Sequence, residues 1–65
     1  MLDERGFGNL VAEIERQGYD RKTAVDYAAR IGDTPERDEK GNFVVRDDRD
    51  EILALLRPLK FFKSE

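Results

Sequence analysis

The fold is decided by the stretch Thr34-Pro35-Glu36-Arg37-Asp38-Glu39-Lys40-Gly41-Asn42-Phe43-Val44-Val45, which is compatible with two structures. Thr34 as an N-cap and Pro35 at the first helical position would begin a short helix that ends at Gly41. Alternatively, a turn places Gly41 in the left-handed conformation, and a strand from Phe43 returns against residues 34–37. The β-branched and aromatic residues after the turn favour the hairpin. The short helix stays open as the alternative.

A first helix is predicted before this stretch, from about Asn9 to Gln17. Its apolar residues recur at the spacing of one helix face, and they are Phe7, Leu10, Val11 and Ile14. Gly18 stands where a left-handed residue often ends a helix. Because glycine disfavours helix interiors, Gly6 and Gly8 argue against an earlier start.

A second helix is predicted from about Arg21 to Arg30. Asp20 can cap its N-terminus, and Gly32 can close its C-terminal end. Its apolar stripe consists of Ala24, Tyr27, Ala28 and Ile31. Because two of these residues are alanines, we expect another helix to approach this face closely.

A third helix is predicted after the deciding stretch, from about Arg49 to Arg57. Asp48 and Glu51 form a pair that resembles a capping box, with aspartate in place of serine or threonine. Pro58 disfavours helical conformation at the residue before it and should end the helix.

These elements predict a single domain, residues 1–65, of α+β class. The domain is α-rich, with three helices and a short β-hairpin between helices two and three, and an all-α fold is the alternative. A chain of 65 residues buries only about 60% of the surface that its unfolded form exposes. It has neither cysteine nor histidine, so neither disulfides nor the commonest zinc ligands can support it. Helix packing or association with another chain must supply the stability.

The charge of the chain favours a soluble protein without affinity for membranes. Asp and Glu number 15 and Lys and Arg number 12, which gives a formal net charge of −3 and 42% charged residues. Such an acidic chain disfavours non-specific attraction to nucleic acids or anionic lipids. We expect a cytoplasmic protein.

The sequence contains few residues that could support catalysis or metal binding. Hydroxyl nucleophiles are few, and no histidine or cysteine is present to activate or replace them. The segment Glu36 to Asp47 has the length of a calcium-binding loop. However, Lys40 would occupy the fifth ligand position, and Asp47 would replace the bidentate glutamate. We therefore expect no enzyme activity, no metal and no cofactor.

Large apolar side chains near the C-terminus are the most suggestive feature for function. The predicted partner-binding residues are Leu55, Leu59, Phe61 and Phe62. A helix in so small a domain can bury only one stripe, so a second apolar face should meet another chain. The sequence predicts a small protein-interaction module, such as an adaptor, inhibitor or regulatory subunit. Its partner is an unidentified protein or a second copy in a homodimer.

A DNA-binding regulator of the helix-turn-helix type is the alternative. Its best basic candidates are Arg21, Lys22 and Arg30. The recognition helix would then fall on residues 34–41, which are acidic where phosphates should lie and offer no apolar residue for docking. Nucleic acid is therefore a less favoured partner than protein.

Overall fold

The computed structural model describes residues 4–59 and, of these, the side chains of residues 6–59. In this part of the chain two helices, α1 (Glu4–Arg16) and α2 (Arg21–Asp33), precede two strands, β1 (Phe43–Arg46) and β2 (Ile52–Leu56). The strands form an antiparallel hairpin. The fold is α+β, with two helices followed by a hairpin.

Helix α1 begins at Glu4, so the predicted start at Asn9 was wrong. Phe7, in the added turns, packs against the buried core, and this burial offsets the cost of about 0.5–1 kcal/mol for each glycine in a helix. The helix ends at Arg16, one residue before the predicted end, and the left-handed conformation predicted for Gly18 is confirmed: its φ is 107°, and its N–H donates to the carbonyl of Glu15.

Helix α2 begins as predicted, because the carboxylate of Asp20 accepts a hydrogen bond of 2.8 Å from the N–H of Thr23. It continues to Asp33, three residues beyond the predicted end, so Gly32 does not close it. Ala24 and Ala28 are fully buried in the cluster that contains the apolar residues of α1. The small side chains thus lie where the two helices meet, as the sequence indicates.

Residues 34–41 contain no helix, and the turn predicted there is present. The carboxylate of Asp38 accepts hydrogen bonds of 2.9 Å from the N–H groups of Lys40 and Asn42, and Gly41 has a φ of 84°. Arg37 pairs with Phe43 through one isolated antiparallel bridge. The segment before the turn therefore touches β1 but does not form a second strand of the sheet.

The prediction of a third helix from Arg49 to Arg57 was wrong, and with it both the three-helix arrangement and the all-α alternative. Ile52–Leu56 is a strand that pairs with β1, so the hairpin follows both helices. Asp47, rather than Asp48, organises the local chain. Its carboxylate accepts hydrogen bonds of 2.9 Å from the N–H groups of residues 49 and 51, which closes a turn instead of starting a helix.

The core lies between the two helices and one face of the hairpin. Its buried residues are Leu10, Val11, Ile14, Ala24, Ala28, Ile31, Phe43, Val45, Leu56 and Leu59. In the hairpin, Phe43 is opposite Leu56, and Val45 is opposite Ala54, which is partly buried against the cluster. Alternation along the strands therefore directs Leu53 and Leu55 to the opposite face. A register shift between Val45 and Arg46 pairs Ile52 with Arg46, so Ile52 lies on that face as well.

Candidate partner-binding surface

Strand β2 lies at the edge of the sheet. Among residues 4–59, β1 pairs with β2 on one side and with Arg37 on the other, and β2 pairs with β1 alone. The N–H of Val44 donates to the carbonyl of Glu36, away from β2. Because hydrogen-bonded pairs alternate in an antiparallel ladder, the backbone groups of Leu55 and Arg57 point outward from the sheet.

Large apolar side chains on β2 are exposed. Ile52 is 56% exposed, Leu53 45% and Leu55 52%, and we call these three residues the β2 surface. Edge strands in natural proteins commonly carry lysine, proline or another charged residue that discourages pairing with other chains. The sequence of β2, ILALL, carries neither a charge nor a proline. Within residues 4–59, the β2 surface is therefore open to another chain by both its side chains and its backbone.

The predicted partner-binding residues do not all lie on this surface. Leu55 belongs to it, whereas Leu59 is 4% exposed and forms part of the core. Phe61 and Phe62 lie outside the described residues. The sequence-based prediction did not include Ile52 and Leu53, because a strand with a register shift that exposes both of them was not expected there.

Gln17 fixes the end of β2 against the end of α1. Its side-chain amide donates to the carbonyl of Arg57 at 3.1 Å and accepts from the N–H of Arg57 at 2.8 Å. This pair of bonds satisfies the outward backbone groups of Arg57 much as another strand would. The open part of the edge thus ends before Arg57.

A groove of about 330 Å³ lies beside this junction. It is lined by Glu13, Arg16, Gln17, Arg57 and Pro58, and we call it the arginine groove. Among the side chains that the structure describes, neither Arg16 nor Arg57 has an ion-pair partner within 4.0 Å. The groove therefore offers two guanidinium groups that can receive a carboxylate.

The opposite end of β2 carries negative charge. Residues 47–51, which we call the acidic turn, contain four carboxylates and one arginine. Asp48 lies 3.4 Å from the guanidinium of Arg30, and Asp50 lies 3.7 Å from that of Arg46. The side chain of Glu51 is exposed and has no ion-pair partner in the described part of the chain.

Arg46 links the hairpin to the segment before β1. Its guanidinium binds both carboxylate oxygens of Glu36, at 2.8 and 3.1 Å, and the carbonyl of Asp50 at 2.8 Å. Hydrogen bonding to Arg46 lowers the pKa of the Glu36 carboxyl below its ordinary value of 4.5. With Arg30 and neighbouring carboxylates, these groups line a polar pocket of about 280 Å³. Within this pocket Arg30 pairs with Asp48, and Arg46 pairs with Glu36 and Asp50.

The lowered pKa values of other carboxyl groups also have structural causes. A hydrogen bond from Thr23 lowers the pKa of Asp20 at the start of α2. The backbone N–H of Asn42 lowers the pKa of Asp38 in the turn before β1. These carboxylates hold a helix cap and a turn, and neither is arranged for proton transfer.

The basic residues of the DNA-binding alternative do not form one surface. Arg21 and Lys22 are exposed at the first turn of α2, and Arg21 lies 3.5 Å from Glu15. Arg30 is nine residues beyond Arg21, which places it about 180° around the helix at roughly 100° per residue. Arg30 also binds the carboxylate of Asp26 at 3.0 Å.

The described part of the chain contains no group of three or more acidic, histidine or cysteine residues that could hold a metal ion. Within residues 4–59, no helix has the length and apolar character needed to cross a membrane. Comparisons with models of protein families, with curated proteins and with solved structures find no match to this chain.

Proposed function

We propose that this protein acts by binding another protein chain through the β2 surface. The observation that carries the proposal is the exposure of Ile52, Leu53 and Leu55 within four residues of an edge strand. Burial of a large aliphatic side chain contributes roughly 1.5–3 kcal/mol, and each of these residues forgoes a large part of that in the free protein. A partner that covers the surface recovers this free energy.

The position of the surface suits a strand-forming partner. Leu55 directs its backbone N–H and C=O to the open edge, where an extended chain can add hydrogen bonds while its side chains cover the apolar residues. The rest of the hairpin holds the strand in place, since Ala54 and Leu56 face the core. Such a binding surface is sufficient for the role that we propose, that of an adaptor, an inhibitor or a regulatory subunit in the cytoplasm.

Replacing Leu55 with a photoreactive p-benzoylphenylalanine tests this proposal. In an extract of the producing cells, irradiation should yield one or a few protein adducts at this position. An excess of unlabelled wild-type protein should suppress them. An excess of the Leu55→Lys variant should compete about tenfold less well, because a charge at a buried contact costs on the order of 1–2 kcal/mol.

Val25 provides the matched control, since it is an exposed apolar residue, 38% accessible, on α2. The same photoreactive residue at Val25 should give no adducts that an excess of wild-type protein suppresses. An excess of the Val25→Lys variant should suppress the adducts of position 55 as well as the wild type does. Circular dichroism must show that both lysine variants keep the fold. Identical adducts from both positions, or adducts that no excess suppresses, would show that the β2 surface is not a binding site.

A further inference from the structure

The two ends of β2 carry opposite charges. The acidic turn precedes the strand, and Glu51, its last residue, is directly followed by the β2 surface. Arg57 follows the strand, and the arginine groove adds Arg16 beside it. An apolar strip with negative charge at one end and positive charge at the other is complementary to a copy of itself that runs in the opposite direction.

We propose that the partner on the β2 surface is a second copy of this chain, packed antiparallel about a two-fold axis near Ala54. This inference rests on the proposed function and identifies its partner. In such an interface each contact occurs twice, because the same patch is used by both chains. The apolar residues of the two strands then meet at the centre, and each acidic turn reaches the arginine groove of the other copy.

The contacts of Gln17 determine where backbone pairing ends. Because Gln17 already occupies the N–H and C=O of Arg57, an incoming strand can pair with the edge only as far as Leu55 or Leu56. Beyond that point the incoming chain has reached its own Glu51, the last residue of the acidic turn. The turn therefore meets the Arg16 and Arg57 side chains rather than the backbone.

The unpaired charges agree with this arrangement. Glu51 and Arg57 are both exposed, and neither side chain has an ion-pair partner in the described residues. The register shift adds one residue to β2 between Ala54 and Ile52, so about an axis near Ala54 residue 51 of one copy lies within one position of residue 57 of the other. Opposite charges on neighbouring cross-strand positions stabilise the pair when the side chains are long, and like charges destabilise it.

Charge reversal at these two positions tests the inference. Sedimentation equilibrium at micromolar concentration and low ionic strength should show a dimer of the wild-type protein. Glu51→Lys and Arg57→Glu, each alone, should weaken the dimer by about tenfold, because both symmetric pairs become repulsive. An equimolar mixture of the two variants should recover association, since the introduced lysine then faces the introduced glutamate.

Glu39→Lys is the matched control, because it changes the net charge equally at an exposed turn residue away from β2. It should dimerise like the wild type. A wild-type protein that stays monomeric, or single variants that associate as tightly as the mixture, would overturn the inference. If the wild type is monomeric while position 55 still gives suppressible adducts with a different protein, the proposed function stands and only the second copy is excluded. The absence of both dimer and adducts would refute both proposals.

Discussion

Phe43→Ala is expected to leave much of the protein unfolded at 25 °C. Phe43 is the largest fully buried side chain in the described part of the chain, and it belongs to the buried cluster that the hairpin forms with the helices. Removal of a buried phenylalanine costs about 3–5 kcal/mol through lost burial and the cavity left behind. A domain of this length has a total stability of roughly 3–10 kcal/mol. Urea denaturation followed by circular dichroism measures the loss.

The guanidinium of Arg37 lies 4.5 Å from the centre of the Phe43 ring, and the substitution also removes this contact. Leu55→Ala is the control. It also shortens a large apolar side chain of the hairpin, but the side chain of Leu55 is half exposed. We expect it to cost under about 1 kcal/mol in the monomer. Equal losses for the two variants would mean that the inward and outward faces of the hairpin are wrongly assigned.

Ala28→Leu should destabilise the protein by roughly 1–3 kcal/mol, the second largest expected effect. Ala28 is fully buried in the cluster that joins α1 to α2, and a larger side chain there must push the helices apart or adopt a strained rotamer. Thermal unfolding followed by circular dichroism should show a melting temperature lowered by several degrees.

Ala29→Leu is the matched control, since Ala29 is the next residue of the same helix and is exposed. Alanine and leucine have similar helix propensities, so this variant should lie within about 0.5 kcal/mol of the wild type. If Ala28→Leu were as harmless as Ala29→Leu, the two helices could not be packed at the distance that the buried alanines indicate.

The helices were largely predictable from the sequence, because their signals are local. Asp20 and Gly18 perform the capping roles that their positions predict. Only the boundaries differ, where burial of Phe7 extends α1 and the chain continues through Gly32. At those places tertiary packing outweighs the local cost of glycine.

Strand β2 was not predictable from its own residues. Ile52–Leu56 is a continuous apolar run of five residues, and such a run gives no periodicity that separates a helix from a strand. Leucine and alanine favour helices, which supported the wrong interpretation. The strand forms because Phe43, Val44 and Val45 require an antiparallel partner that residues 34–37 supply through only one bridge.

Part of the candidate surface followed from composition alone. A surplus of apolar side chains near the C-terminus predicted a partner, and Leu55 is exposed as that reasoning requires. The structure differs from this prediction in which apolar residues are exposed. Leu59 is buried, whereas Ile52 and Leu53, which lie near Leu55 on β2, are exposed. That distinction depends on strand pairing and on the register shift next to Leu53, which a helical interpretation could not supply.

A nuclear Overhauser measurement on β2 tests directly whether it is a strand with an outward apolar face. Val44 and Leu55 are paired in the register and form a non-hydrogen-bonded pair, whose Cα atoms lie about 4.5 Å apart. The structure therefore predicts a strong cross-strand signal between the Hα atoms of these two residues. Sequential amide–amide signals from Ile52 to Leu56, without that cross-strand signal, would show a helix and contradict both the hairpin and the β2 surface.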